Sequence, residues 1–276
     1  MDRVVSVSTM AYDGYSLETA LDELAALGVR HVEPASVDKV FQHLVEADFC
    51  DARAAWLRDH LASRRLTCVS LSAHMDLSQP DSVDRFRRRL EFARAIGARI
   101  VNTIAGPRSG QAGFRTNIPT IGELAADLGL TVALENHGDL VDREGQILTF
   151  IAEIGLPGVR INYDTGNAWY YAKGALDPVK ELDLLTPVVA HVHLKTPRID
   201  DGLLRWVALG EGVLDLPAAA RILRERLPGV PVSYELSPRQ RSRDFEPRWR
   251  APEVPPLAEL RDTIRRSLAA LERVLG

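Results

Sequence analysis

Glu135, Asp164, His193 and Glu235 each stand at the end of an apolar, β-branched run: Thr131-Val132-Ala133-Leu134, Val159-Arg160-Ile161-Asn162-Tyr163, Val188 to Val192, and Val232-Ser233-Tyr234. Three carboxylates and an imidazole brought to one point would repel strongly without a neutralising cation, so one bound divalent metal is the economical reading of the set. Oxygen-rich ligation with a single nitrogen suits Mn²⁺, Mg²⁺ or Co²⁺, and Zn²⁺ is compatible with it. A metal holding a ketone oxygen and the neighbouring hydroxyl oxygen acts as a Lewis acid and stabilises the enediolate formed when the intervening C–H loses its proton. One of the two glutamates, Glu135 or Glu235, takes that proton as general base, and the other can return one on the opposite face. Epimerisation, isomerisation and β-elimination all remain open to the same four ligands. A single carboxylate at a strand end could instead cap the next helix or pair with an arginine.

Other polar residues gather at the same ends. His191 and His193 alternate with Val192, so both point to one face of their strand, with His193 nearer the end and His191 a layer deeper in a supporting role. Glu33, at the end of His31-Val32-Glu33, is expected to support the ligands as well. His74 follows Val69 to Leu71 and is a candidate for a substrate hydrogen bond, as are Asn102 and His137. Lys195 could polarise a carbonyl or pair with a carboxylate. His31, His43 and His60 lie on helices or strand starts and read as surface residues.

The elements that must carry these groups recur along the chain. A helix stops at glycine and runs within a few residues into an apolar stretch at Gly28, Gly97, Gly129, Gly155 and Gly229. Glycine just past a helix end adopts the left-handed conformation that closes the last turn. Between the strands, Ser16 is a plausible N-cap followed by Leu17, Leu21, Leu24 and Leu27, and Val83, Phe86, Leu90 and Ala93 follow Asp81, one apolar stripe in each case. Eight strands alternating with helices call for a parallel sheet covered on both sides. Taking Ser8, Glu33, His74, Asn102, Glu135, Asp164, His193 and Glu235 as strand ends gives a mean spacing of about 32 residues, close to one unit of a (β/α)8 barrel. An open dinucleotide-binding sheet would carry G-x-G-x-x-G after its first strand, and none is present. The expected fold is a single α/β domain over residues 1–276, a (β/α)8 TIM barrel whose mouth gathers the polar residues.

Composition narrows the partners. The chain has 276 residues, 46% hydrophobic and 26% charged, with a net charge of -4 and a pI near 6.0. No broad positive field exists for nucleic acid or an anionic membrane. No apolar run reaches about 18 residues and Met1-Asp2-Arg3-Val4 lacks the layout of a signal peptide, so a cytoplasmic location is expected. Cys50 and Cys68 fit neither a disulfide framework nor a thiolate zinc site. The expected partner is a small-molecule sugar or sugar derivative, with a homo-oligomer left open.

At these residues a family resemblance enters. Leu134-Glu135-Asn136-His137-Gly138, Tyr163-Asp164-Thr165-Gly166-Asn167, His191-Val192-His193-Leu194-Lys195 and Leu209-Gly210-Glu211-Gly212 resemble, in order and spacing, the sugar phosphate isomerase/epimerase group. That group belongs to the xylose isomerase-like TIM barrels, which also include ketose 3-epimerases, inosose dehydratase and endonuclease IV. The resemblance runs from Val4 to about Glu235. It implies that Glu135, Asp164, His193 and Glu235 bind one divalent metal, with the two glutamates on opposite sides of the substrate carbon. Where the epimerases carry a substrate-binding histidine this chain has Asn167, and in place of their Gly-Glu-x-Asn-Arg stretch it has Lys195-Thr196-Pro197-Arg198.

The reading is therefore a divalent-metal-dependent sugar isomerase or epimerase. Its alternative is a metal-dependent lyase or dehydratase on a keto-sugar, keto-glycoside or inosose. Endonuclease-type chemistry needs a three-metal cluster, and only His74, His137, His191 and His193 fall near the mouth, so nucleic acid is not an expected partner. A non-catalytic sugar-binding barrel fits poorly with four intact ligands. One segment departs from the barrel rhythm: residues 236–256, with Arg239, Arg241, Arg243, Arg248, Arg250 and Trp249, leave the eighth strand on the active-site side. They are expected to form a lid or an oligomer contact that supplies arginine to an anionic or polyhydroxylated substrate, with a solvated loop as the alternative.

Overall fold

The computed structural model describes residues 3–276 apart from Gly138 and Arg143. Met1 and Asp2, and Gly138 of the Leu134 to Gly138 segment, lie outside the described residues. Eight principal strands run β1 (Val5–Ser8), β2 (His31–Glu33), β3 (Ser70–Asp76), β4 (Ile100–Ile104), β5 (Thr131–Glu135), β6 (Val159–Asp164), β7 (Val189–Leu194) and β8 (Val232–Tyr234). Consecutive strands from β3 to β8 pair in parallel, and β8 pairs in parallel with β1, which pairs with β2. Between β2 and β3 the pairing is split. Pro34 has no N–H to give the ladder, so the chain resumes after it as Ala35–Val37, which pairs with β3, while Thr67–Cys68 pairs with β2. The ring is closed, and the fold is a (β/α)8 barrel.

Helices cover the barrel: α1 (Leu17–Ala26), α2 (Asp51–Ser63), α3 (Ser82–Ala95), α4 (Gln111–Asp127), α5 (Glu144–Ile154), α6 (Thr165–Tyr171), α7 (Pro178–Leu185), α8 (Leu216–Glu225) and α9 (Leu257–Leu275). Ser16 caps α1 by accepting from the Thr19 amide, and Leu17, Leu21 and Leu24 bury against the strands. The helix-terminating glycines at 28, 97, 129 and 155 have positive φ. Gly229 does not, because the Arg226 and Leu227 amides already close the end of α8 on the Ile222 carbonyl. None of the described helices is long and apolar enough to cross a membrane.

The segment between β8 and α9 is neither a solvated loop nor an isolated flap. Gln240–Arg243 and Trp249–Arg250 are strands of a four-stranded antiparallel sheet with Pro197–Asp200 and Leu203–Trp206, which follow β7. This small sheet stands over the carboxyl ends of β7 and β8.

Candidate active site

Register sets the floor of the site. Asn162 pairs with Glu135 across β5 and β6, and His193 pairs with Asp164 across β6 and β7. Glu135 and Asp164 are the last residues of their strands, and Glu235 follows directly on β8. All four expected ligands are buried. Ligand atoms of Glu135, Asp164 and His193 lie within 4.8 Å of one another. His193 Nδ1 faces Glu135 Oε2 at 3.0 Å and Glu235 Oε1 at 3.7 Å. Glu235 is tied on its other side, where Lys195 Nζ donates to its Oε2 at 2.6 Å.

Asp164 divides its labour between its oxygens. Oδ1 accepts from the amides of Gly166 and Asn167 at 2.7 and 2.8 Å and caps α6. Oδ2 is buried without a hydrogen bond, 3.8 Å from Lys195 Nζ. The capping role weighed for a strand-end carboxylate is real, and among the described residues it leaves the second oxygen with no hydrogen bond, only the distant Lys195 charge. Burial, reinforced by the Glu235 and Glu135 charges against the opposing Lys195, raises Asp164 to about 7. An orphaned carboxylate oxygen beside two further carboxylates and an imidazole fits a hard divalent ion. Gly166 keeps this corner tight: a Cβ there would stand 2.6 Å from the Trp206 ring and 2.8 Å from Lys195 Cγ.

His193 is held from behind. Its Nε2 lies 2.8 Å from Glu33 Oε1, and Glu33 also accepts from Ser70 Oγ at 2.5 Å and Asn102 Nδ2 at 3.0 Å. Burial disfavours the Glu33 charge, yet His193 charge and hydrogen bond together bring it down to about 2. The surrounding carboxylates, Glu33 and Glu235 foremost, hold the His193 imidazolium well above its usual range against burial. His191 is fully buried one layer below, its Nδ1 2.8 Å from Asn162 Oδ1, and burial keeps it neutral at about 4. Glu33 and His191 thus stand behind the imidazole, where a supporting role places them.

Above this floor opens a cleft of about 660 Å³. His74, Glu135, His137, Asn167, Lys195 and Glu235 line it. His74 Nε2 is 3.4 Å from Glu135 Oε2, and Asn167 Nδ2 donates to Glu135 Oε1 at 2.8 Å. Asn102 does not join them. Expected among the substrate-contacting residues, it is fully buried on β4 and spends its amide on Glu33.

A family model described as xylose isomerase-like TIM barrel matches residues 21–270. The chain belongs to that family. Inosose dehydratase from Klebsiella pneumoniae is 27% identical over 177 residues, 51% of this chain. The match spans 59% of that relative's length. A D-psicose 3-epimerase solved in the presence of D-fructose superposes with a TM-score of 0.74 over 99% of both chains at 18% identity. A xylose isomerase-like TIM barrel protein from Mycobacterium smegmatis in complex with magnesium superposes with a TM-score of 0.72, covering 100% of this chain and 98% of that one at 17% identity. At these identities the two structures speak for the fold.

This member of the family adds cleft residues that sequence reasoning passed over. Tyr170 and Tyr171 lie on α6 one turn beyond Asn167, and Lys39, Val40 and Phe41 come from the turn and short strand after β2. The aromatic run Trp169-Tyr170-Tyr171, one residue after Asp164-Thr165-Gly166-Asn167, was the available signal. From the arginine-rich segment, Arg248 and Arg250 line the cleft, while Arg239 and Arg250 both pair with Asp13 beyond β1.

Proposed function

We propose that the protein is a divalent-metal-dependent sugar isomerase or epimerase that moves a proton on the carbon next to a carbonyl. The observation that carries this reading is the floor of the cleft, where Glu135 and Glu235 both face His193 Nδ1 beside Asp164 Oδ2, which has no hydrogen bond among the described residues. A divalent ion held by Glu135, Asp164, His193 and Glu235 would act as a Lewis acid on the carbonyl and the neighbouring hydroxyl oxygen. Mn²⁺, Mg²⁺ or Co²⁺ suit this donor set. One glutamate takes the C–H proton as its electron pair moves into an enediolate, and the other carboxyl returns a proton to the substrate. Asn167 fixes one Glu135 oxygen by hydrogen bonding, and Lys195 fixes one Glu235 oxygen. His74, on the cleft wall, would bind a substrate hydroxyl, while His137 is held by both ring nitrogens between Tyr171 and Arg248.

Elimination is the second reading, and Lys195 is the observation that favours it. A buried ammonium 2.6 Å from Glu235 is a proton source for a departing hydroxide on the same carbon skeleton. The match to inosose dehydratase over half of the chain supports the same reading.

The test is to load the protein with Mn²⁺ or Mg²⁺ and incubate it in D₂O with ketoses, keto-glycosides and inososes, following C–H exchange by NMR. Exchange without loss of water is expected for the epimerase or isomerase, and an unsaturated product for the lyase. Glu235→Gln is expected to abolish net turnover of the active substrate. Full exchange and turnover in that variant would remove Glu235 from the mechanism.

A further inference from the structure

The outer half of the cleft holds a cation, Arg248, with which no carboxylate pairs among the described residues; Asp13, which also lines the cleft, is taken by Arg239 and Arg250. Arg248 reaches in from the small sheet: its Nη1 donates to Asn167 Oδ1 at 3.1 Å and lies 3.5 Å from Gln240 Oε1. Its Nη2 donates to the Tyr171 hydroxyl at 2.5 Å and lies 3.3 Å from His137 Nε2. The guanidinium stacks on aromatic rings, 4.9 Å from the centre of Tyr170 and 5.2 Å from that of Tyr171. All of these partners are neutral. His137 is among them by geometry, since a ring nitrogen that accepts from a guanidinium carries no proton.

Among the described residues no carboxylate forms an ion pair with Arg248, whereas Asp13 takes both Arg239 and Arg250. Arg241 and Arg243 lack a carboxylate too, but they donate to backbone carbonyls and do not line the cleft. Arg248 is only partly exposed, so its charge is incompletely hydrated, and its fork is held by neutral acceptors on a tyrosine shelf. The Gln240 and His137 contacts, at 3.5 and 3.3 Å, are the long ones of the four, so an oxyanion entering the cleft would replace them as acceptor for one N–H on each terminal nitrogen, the fork that pairs with carboxylate or phosphate. Lys39 and Lys173 line the same outer cleft and add to the positive potential an entering anion meets.

We propose that Arg248 reads an oxyanion, carboxylate or phosphate, at the end of the substrate remote from the metal ligands, which makes the substrate class an acidic sugar derivative. The assignment deepens the proton-transfer reading above and rests on it. Arg248 is a specificity-determining residue, and Asn167 links it to the floor by bonding both Arg248 and Glu135.

The test uses the Mn²⁺-loaded full chain with three matched probes: D-fructose, D-fructose 6-phosphate, and the ketohexose with a C6 carboxylate. Binding is measured by titration calorimetry and by the fluorescence of Trp249, which lines the cleft, and C–H exchange in D₂O is followed separately. At least one anionic probe is expected to bind about ten- to a hundredfold more tightly than fructose, and the phosphate and carboxylate arms show which. Arg248→Met is expected to collapse that ratio, and Arg248→Lys to restore part of it. Equal affinity for neutral and anionic probes, or equal weakening of both by Arg248→Met, would overturn the proposal. Arg248-dependent anion binding with no C–H exchange on any probe leaves the subsite standing and counts against the proton-transfer reading. Exchange on fructose with an unchanged ratio in Arg248→Met does the reverse.

Discussion

Glu33→Gln is the sharpest probe of how the barrel interior supports the site, because it changes one atom and one charge a layer behind the expected ligands. In the native chain both Glu33 oxygens are occupied: Oε1 faces His193 Nε2 at 2.8 Å, and Oε2 accepts from Ser70 Oγ and Asn102 Nδ2 at 2.5 and 3.0 Å. Held down at about 2, the carboxylate is ionised at neutral pH and accepts from Nε2–H of the His193 imidazolium; with a metal at Nδ1 in place of that nitrogen's proton, the same carboxylate would keep the remaining proton on Nε2. A glutamine must turn its amide nitrogen toward one donor set. Placed toward His193 it sets N–H against N–H and frees the ring to change tautomer. Placed toward Ser70 it is accommodated only if the Ser70 hydroxyl and the Asn102 amide both reorient.

The first arrangement loses one charge-assisted hydrogen bond outright, about 1.5–3 kcal/mol, and the second loses only the charge assistance and sits at the low end of that range. At 1.4 kcal/mol per decade, metal affinity should fall about ten- to a hundredfold, the range typical of an outer partner of a ligating histidine. Competition with a fluorescent chelator for Mn²⁺ at pH 7.5 measures it, and activity should recover at excess metal. A Kd within twofold of the parent, in a variant whose melting curve shows it folded, would refute this account of Glu33. If the glutamine variant does not fold, Glu33→Asp keeps the charge while shortening the reach, and it should weaken metal binding in the same direction.

Two further outcomes follow from ion pairs away from the floor. Asp13 clamps the small sheet to the loop after β1 through Arg239 and Arg250, so Asp13→Ala should raise KM severalfold and speed tryptic cleavage between Arg239 and Arg250, while the metal Kd stays unchanged; unchanged cleavage and KM would show that the clamp is idle. Glu46 meets Arg85, Arg88 and Arg89, and although partial burial disfavours its charge, hydrogen bonds from Arg85 and Arg88 together with the Arg89 charge bring it down to about 2. A folded value below the ordinary carboxylate range means its stabilisation is complete above about pH 4.5 and is lost as pH falls toward 2, so urea unfolding of Glu46→Gln should show a shallower acid limb than the parent. Parallel acid limbs would contradict this.

The barrel was legible because its information is local. Four units carry their own stop, a glycine with positive φ after the helix at 28, 97, 129 and 155, and an apolar run beside it, and both can be read within about 32 residues. The candidate ligands were legible for the same reason, since a polar residue after a continuous apolar run marks a strand end. Asn102 shows where that rule breaks. In sequence the run Ile100-Val101 ends at Asn102, yet β4 continues through Thr103 to Ile104, so Asn102 lies two residues short of the mouth and meets Glu33 instead of the cleft. His74 also lies two residues from the end of its strand, but the register of β3 against β4 shifts between Ser72 and Asp76, and His74 lines the cleft.

The segment after β8 was legible in composition only. Its strands are short, and the first, Gln240–Arg243, finds its partner in Leu203–Trp206, more than thirty residues earlier, where Leu203 pairs with Arg243 and Arg205 with Arg241. That pairing puts Gln240 opposite Arg250 and Arg241 opposite Trp249, and so determines which arginine is carried back over the barrel mouth. Five arginines in a row of twenty residues announce a basic loop. Only the antiparallel register, which no local pattern encodes, separates Arg248 in the cleft from Arg241 and Arg243 on the backbone carbonyls of the sheet itself. Arg248 lies one residue before the strand Trp249–Arg250, so the pairing of Arg241 with Trp249 fixes the point from which it enters the cleft, and its aim depends on that anchoring and not on the loop's composition.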